Sequence, residues 1–304
     1  MAVADTIHTS YTTTSRGLNR DIPPMLLYER AKKLGIWNPS DIDFSQDKKD
    51  WEGLNDAQRD LVLRLTSLFI SGEEAVTVDL LPLINVIAQQ ERLEEEMYLT
   101  TFLWEEGKHV DFFSRFLGEV CGNPENLDQY SCPSYTHIIS ETLPAAMSAL
   151  RDDHSPAALA RASSVYNMIV EGMLAETGYY AYFTIMDKYN ILPGQREGIQ
   201  KLKQDESRHI GYGVYLLSRL MSENPDVWDV VESTMNELLM PGLGIIDETF
   251  SHYDPIPFDI DKDDFTNYAA GQFQKRMSRI EKARGKSMDE INKITHAAIE
   301  DDDS

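Results

Sequence analysis

The tetrapeptides Glu106-Gly-Lys-His109 and Glu206-Ser-Arg-His209 repeat one pattern, and each follows a glutamate embedded in apolar helical sequence. Glu73 precedes Glu106 by 33 positions and Glu171 precedes Glu206 by 35. Residues three apart on a helix share a face, so each Glu-x-x-His can hold one cation between a carboxylate and an imidazole. Two helix pairs, each donating one Glu and one Glu-x-x-His, form a four-helix bundle around a pair of metal ions. Few other folds place these residues together.

The rest of the chain agrees with an all-α reading. Apolar residues recur at helical spacing from Asp56 onward, and alternating strand patterns are hard to find. Asn55 is a good N-cap for a helix running past Glu73 towards Pro82. A second helix spans about Glu91 to Val120, where Gly122 and Pro124 stop it. A crossover with a helix from Tyr135 to Leu150 leads to Pro156, which opens the helix carrying Glu171. Pro193-Gly194 turns the chain into the helix of Glu206 and His209, which ends near Asn224-Pro225. Further helices are expected over Val227 to Phe250, kinked at Pro241-Gly242, and over Asp264 to Ile280. We read one domain over 1–304, with 1–22, 283–304 and above all the acidic end from Glu300 as flexible termini.

Helix pairing brings the acidic residues into register. The midpoint of Glu73 and Glu106 falls at Gln89-Gln90, in a polar stretch suited to a turn, so an antiparallel pair sets both at one height. Glu171 lies in Tyr166-Asn167-Met168-Ile169-Val170-Glu171-Gly172-Met173-Leu174, where an unpaired carboxylate is strongly unfavourable. No Lys or Arg lies nearby on that helix, whereas two divalent ions would balance four glutamates. Either Glu-x-x-His alone is a pattern that chance supplies; the matching offsets of Glu73 and Glu171 carry the argument. Glu74 and Glu105 are alternatives to Glu73 and Glu106 that helix phase must decide. One imidazole per metal among carboxylates suits iron or manganese, and hence O2 chemistry, without separating the two.

Composition sets outer limits. A net charge of −23 argues against nucleic acid and anionic membrane surfaces. Two cysteines, Cys121 and Cys132, are too few for a disulfide framework, which fits a cytoplasmic protein. No apolar run reaches bilayer length, so no membrane span is expected. Glu91, Glu94, Glu95 and Glu96 read as solvated surface.

The stretch Gly35-Ile36-Trp37-Asn38-Pro39-Ser40-Asp41-Ile42-Asp43, followed by Asp47 and Trp51, resembles the N-terminal part of ribonucleotide reductase small subunits, and the six acidic and histidine residues follow their order. Glu73-Glu74-Ala75-Val76 and Val165-Tyr166-Asn167-Met168-Ile169-Val170-Glu171-Gly172 are most similar to the small-subunit-like ligand-binding oxidases of that ferritin-like superfamily. The resemblance implies a ferritin-like bundle with added helices and a ligand set of Glu73, Glu106, His109, Glu171, Glu206 and His209. It implies one Mn near Glu73 and one Fe in the other position, with di-iron as the alternative. An ether cross-link from the Tyr166 oxygen to the Val76 β-carbon is implied too, and an up-down-down-up bundle would put both at one end of the metal pair.

The expected function is an O2-dependent oxidase with a long-chain fatty acid or similar apolar ligand, assembled as a homodimer. The alternative is a radical-storing reductase subunit, whose relay positions Trp37, Asp205 and His109 match. Phe113, four after His109, stands where most such subunits place a radical tyrosine, and the C-terminal segment lacks an aromatic residue. Both favour the oxidase.

Overall fold

The structure is a computed structural model that describes residues 10–302, with side chains to residue 296. Among the described residues it is all-helical: α1 (Thr12–Ser15), α2 (Pro23–Leu34), α3 (Ser45–Gly53), α4 (Asp56–Asp79), α5 (Leu81–Gln89), α6 (Leu93–Glu119), α7 (Pro133–Tyr135), α8 (Leu143–Ala149), α9 (Pro156–Ser163), α10 (Glu176–Tyr189), α11 (Pro193–Glu223), α12 (Val227–Phe250), α13 (Lys262–Glu281) and α14 (Met288–Asp302). π-Helical turns cover Thr136–Thr142 and Ser164–Ala175.

Four elements form the bundle. α4 packs along α6, and the π-helical Ser164–Ala175 packs along α11. α4 opens with a capping box in which the Asn55 side chain accepts from the Gln58 amide while the Gln58 side chain accepts from the Asn55 amide. α4 ends at its C-cap, Leu80, and α5 follows from Leu81 with Pro82 in its first turn. The turn to α6 comes at residues 90–92, where Glu91 has a φ of 56°. On α6, Phe102, Phe112, Phe113 and Phe116 are fully buried, each contributing roughly 2 kcal/mol of apolar burial. Most of the buried apolar side chains form one continuous cluster around the bundle.

The N-terminal segment fixes the start of α11. Buried Asp47 accepts the backbone N–H groups of Gly194 and Gln195 at 2.8 and 2.7 Å, so a carboxylate satisfies the otherwise unpaired donors at the helix start. A β-carbon at Gly194 would collide with the Asp43 carbonyl and the Phe44 ring, so glycine permits this close approach.

Several elements differ from expectation. The stretch around Glu171 winds as a π-helix, a form that periodicity in sequence does not announce. By contrast, α12 has the expected bounds, Val227–Phe250, with Pro241 inside it. α14 lies where a flexible end was expected; it packs on α11, and Ile291 is fully buried. Of the expected flexible ends, residues 1–9 and 303–304 lie outside the described residues. The expected solvated cluster at the start of α6 is half wrong: Glu94 and Glu95 are only 3% and 2% exposed. Glu94 accepts from the Arg16 guanidinium and the Asn19 amide, and Glu95 faces Arg92, Arg219 and Tyr212. Their partners come from distant segments, which charge counting along one helix does not reveal. No helix among the described residues is long and apolar enough to cross a membrane.

Candidate metal centre

All six acidic and histidine residues named from the sequence meet inside the bundle. Glu73, Glu106, His109 and Glu206 form one group whose ligand atoms lie within 4.8 Å of one another, and Glu106, Glu171, Glu206 and His209 form a second. Glu106 and Glu206 belong to both, so they stand between two cation positions, with His109 and Glu73 at one side and His209 and Glu171 at the other. Every one of these side chains is buried. Helix phase decides the open alternatives: Glu74 is exposed, and Glu105 belongs to neither group, meeting Arg208 and the outer ring nitrogen of His209 instead.

The polar atoms aimed at the centre fit a pair of cations. Glu106 Oε2, Glu171 Oε1, Glu206 Oε2 and His209 Nδ1 are buried without a hydrogen-bond partner. His109 Nδ1 stands 3.2 Å from Glu73 Oε2 and 3.3 Å from Glu206 Oε1. Both rings therefore present Nδ1 inward. Oxygen-rich surroundings with one imidazole at each position suit Fe or Mn.

The other ring nitrogens are held from outside. His109 Nε2 is 3.4 Å from Asp205 Oδ2, and His209 Nε2 is 3.0 Å from Glu105 Oε2. Each histidine is thus gripped by the acidic residue that immediately precedes the glutamate of the other tetrapeptide. Arg208, fully buried, bonds both carboxylates, at 2.6 Å to Glu105 and by a short contact to Asp205. Lys108 donates to Asp205 at 3.0 Å and to the Gly35 carbonyl at 2.6 Å. Such outer partners fix ring orientation and tautomer. The sequence offered a signal for them: an acidic residue before each Glu-x-x-His, and Lys108 and Arg208 before each histidine.

Electrostatics at the centre are those of a concentrated anion. Burial, then repulsion from Glu206, pushes Glu106 up to about 8. Burial likewise raises Glu73 and Glu171, the latter far above the usual carboxylate range. Glu206 goes the other way: burial opposes ionisation, but His209 and His109 outweigh it and bring the carboxyl down to about 2. Burial disfavours charge on both histidines, yet Glu73 beside His109 and Glu206 beside His209 raise them well above 6.5. Protons are shared among these groups wherever cations do not supply the balancing charge.

Two further named residues sit at the rim. The Tyr166 phenol donates to the Val76 carbonyl at 3.1 Å and to Glu106 Oε1 at 3.2 Å. Tyr166 and Val76 are buried together, as the bundle topology implied. On the same side an apolar cavity lined by residues including Leu65, Leu68, Leu174, Ala181, Ile245 and Phe265 reaches Glu73, Glu171 and Glu206. No lysine, arginine or histidine is among its lining residues. On the opposite side Trp37 Nε1 donates to Asp205 at 2.8 Å, completing a line from Trp37 through Asp205 to His109.

The family model for the ribonucleotide reductase small chain matches residues 26–282. Among solved structures, an R2-like ligand-binding oxidase with aerobically reconstituted Mn/Fe cofactor is 39% identical, covering 90% of this chain and 97% of that one at a TM-score of 0.86. A tyrosine-to-phenylalanine variant of R2-like ligand-binding oxidase, also with aerobically reconstituted Mn/Fe cofactor, is 38% identical over 90% of this chain and 98% of that one, at a TM-score of 0.86. A valine-to-isoleucine variant matches at 38% identity, 89% and 98% coverage and a TM-score of 0.86. The shared length, the bundle and the paired cluster converge: the chain belongs to the ribonucleotide reductase small-chain family, in its branch of R2-like ligand-binding oxidases.

Proposed function

We propose that this chain is an O2-dependent oxidoreductase with one Mn and one Fe held by Glu73, Glu106, His109, Glu171, Glu206 and His209. Its ligand is a long-chain fatty acid or a similar apolar acid. The observation that carries this reading is the apolar cavity that opens on Glu73, Glu171 and Glu206. An acidic head group entering it meets no cationic side chain among the lining residues. Its counter-charge can therefore only be the metal pair, while the apolar walls hold the tail and exclude water. When bound, the metal pair supplies the two-electron oxidising power drawn from O2.

The chain's own residues supply the rest. In this reading Tyr166 forms an ether bond to the Val76 β-carbon with Glu106 receiving the phenolic proton; the hydrogen bonds from its phenol to the Val76 carbonyl and to Glu106 support it. The bond removes one O–H and one C–H, releasing two electrons and two protons. Asp205 and Glu105 hold the two imidazoles in one tautomer while charge at the centre changes. We place the protein in the cytoplasm, as a homodimer.

The Trp37–Asp205–His109 line favours the second reading, a reductase subunit that exports a radical. Against it, Phe113 is fully buried and stacks on Phe69, offering no phenol for radical storage. The deciding experiment loads metal-free protein with Mn(II) and Fe(II) in air and searches its proteolytic peptides by mass spectrometry. A Val76–Tyr166 peptide pair joined with loss of two hydrogens supports the oxidase. Separate peptides together with O2 consumption, and nucleotide reduction on adding a large subunit, would favour the reductase.

A further inference from the structure

Away from Trp37, a second line of aromatic rings leaves the centre through the other histidine. Phe102 lies flat against the His209 ring, with centroids 3.6 Å apart and planes within 7°. Tyr98 follows at 6.1 Å from Phe102, and Tyr212 at 5.3 Å from Tyr98. All three are fully buried. Helical spacing produces the line: Glu95, Tyr98, Phe102 and Glu106 share a face of α6, and Tyr212 stands one turn beyond His209 on α11.

The phenols of the bundle core differ in what they can do with a proton. Tyr98 and Tyr179 have buried oxygens without a hydrogen-bond partner, and Tyr182 shares a hydrogen bond with the Thr66 hydroxyl. Tyr166 donates to Glu106, itself within the metal cluster. Tyr212 alone among these five donates to a carboxylate outside the cluster, Glu95 Oε2 at 3.2 Å. Removing an electron from a phenol makes it a strong acid, so a buried tyrosine is readily oxidised only where a base takes the proton. Glu95 is such a base. Burial raises its pKa while Arg219 and Arg92 oppose the shift, and those guanidiniums lead on to Glu223, 42% exposed, at the surface.

We propose that Tyr212 is a one-electron redox site of this protein, with Glu95 as its proton acceptor and Tyr98 and Phe102 as the rings that couple it to the centre. One electron passes from Tyr212 to the O2-oxidised metal pair, the phenolic proton passes to the Glu95 carboxylate, and a neutral tyrosyl radical remains beside a neutral carboxylic acid. The metal pair is reduced by one electron. Tyr98 transmits and does not store, because its phenol has nowhere to send a proton. The site takes up oxidising equivalents that neither the apolar ligand nor Val76 consumes, and so spares the histidine and glutamate side chains around the metals.

This assignment rests on the O2-dependent reading above, and its test separates the two. Wild type, Tyr166→Phe, Tyr166→Phe/Tyr212→Phe and Tyr166→Phe/Glu95→Gln are loaded with Mn(II) and Fe(II) and mixed with O2. Freeze-quenched samples are read by electron paramagnetic resonance, with metal content, O2 uptake and circular dichroism measured on the same preparations. Tyr166→Phe removes the competing outlet, so a tyrosyl radical is expected there. That signal disappears with Tyr212→Phe, and with Glu95→Gln, which keeps the phenol but removes the strong acceptor, it is lost or forms more slowly. O2 uptake by Tyr166→Phe without a radical, or a radical that survives Tyr212→Phe, overturns the assignment alone. Absence of O2 uptake by metal-loaded wild type overturns the oxidase reading and this assignment together.

Discussion

The phenolic oxygen of Tyr166 lies 3.1 Å from the backbone carbonyl of Val76, ninety positions earlier in the chain, and donates a hydrogen bond to it. A side chain at the edge of the metal cluster is thereby tied to the helix of Glu73 before any covalent bond exists. Tyr166→Phe should abolish the joined peptide while leaving metal content unchanged. Metal-free protein should lose about 1 kcal/mol, the usual worth of one hydrogen bond, measurable by urea unfolding. A joined peptide in the variant would show that the phenol oxygen is not the bridging atom.

The buried Arg208 balances two carboxylates at once. Replacing it with Met should destabilise the fold by roughly 3–5 kcal/mol, because Glu105 and Asp205 would stay buried without their cation. Glu105→Gln is milder: His209 loses an anionic partner, and metal affinity at that position should fall about 10–100-fold. Competition with a metal-binding dye reads the second effect, and denaturant unfolding reads the first.

Metal uptake should release protons. Glu106, raised to about 8, together with Glu171 and the two histidines, all raised well above their ordinary values, retains protons at neutral pH that a cation must displace. Apparent affinity should therefore increase with pH through the neutral range. The same shift fixes the sign for metal-free protein: a carboxyl raised from 4.5 to about 8 favours folding below 4.5 and loses that contribution as pH rises through 8. Calorimetry in buffers of different ionisation enthalpy measures the proton release, and a pH-independent affinity would contradict the prediction.

Glu94 has the opposite sign. Its hydrogen bond from Arg16 lowers the carboxyl from 4.5 to about 2, so its contribution is complete above 4.5 and is lost as pH falls through 2. The Asn19 amide, which donates to the same carboxylate at 2.8 Å, should lose hydrogen-exchange protection over that window. Glu94→Gln should show the weakened protection already at neutral pH.

Ala181 lines the cavity ten positions beyond Glu171 in the chain, and a bulky side chain there should shorten the space for a tail. Ala181→Phe is expected to shift the co-purified or added fatty acids to shorter chains in native mass spectrometry, with metal content retained. Unchanged chain-length preference would place the tail elsewhere.

The residues of the paired cluster were legible because each Glu-x-x-His is fixed by local helical spacing, and Glu73 is set against Glu106 by one turn at residues 90–92. The same is true of the capping box at Asn55 and of Pro193 as a helix start. What lay beyond reach depends on partners far apart in the chain. Glu95 looked like one more surface charge until Arg219 and Tyr212, more than a hundred positions later, closed over it. Glu105 competed with Glu106 until the helix phase sent it to Arg208. The π-helical winding around Glu171 shifts the side-chain angle from residue to residue, and no apolar period in the sequence marks it.

The crossed grip on the imidazoles makes the centre an approximate two-fold figure, since Asp205 serves His109 as Glu105 serves His209. Its departures from symmetry then become informative. The shorter aspartate is flanked by Lys108 and an indole, whereas the longer glutamate's ring carries a flat hydrocarbon face from Phe102. A symmetric cage would treat two cations alike. This one gives its two halves different charge and polarisability within a single hydrogen-bonded frame, so the same two side-chain types, Glu and His, present two unequal chemical addresses.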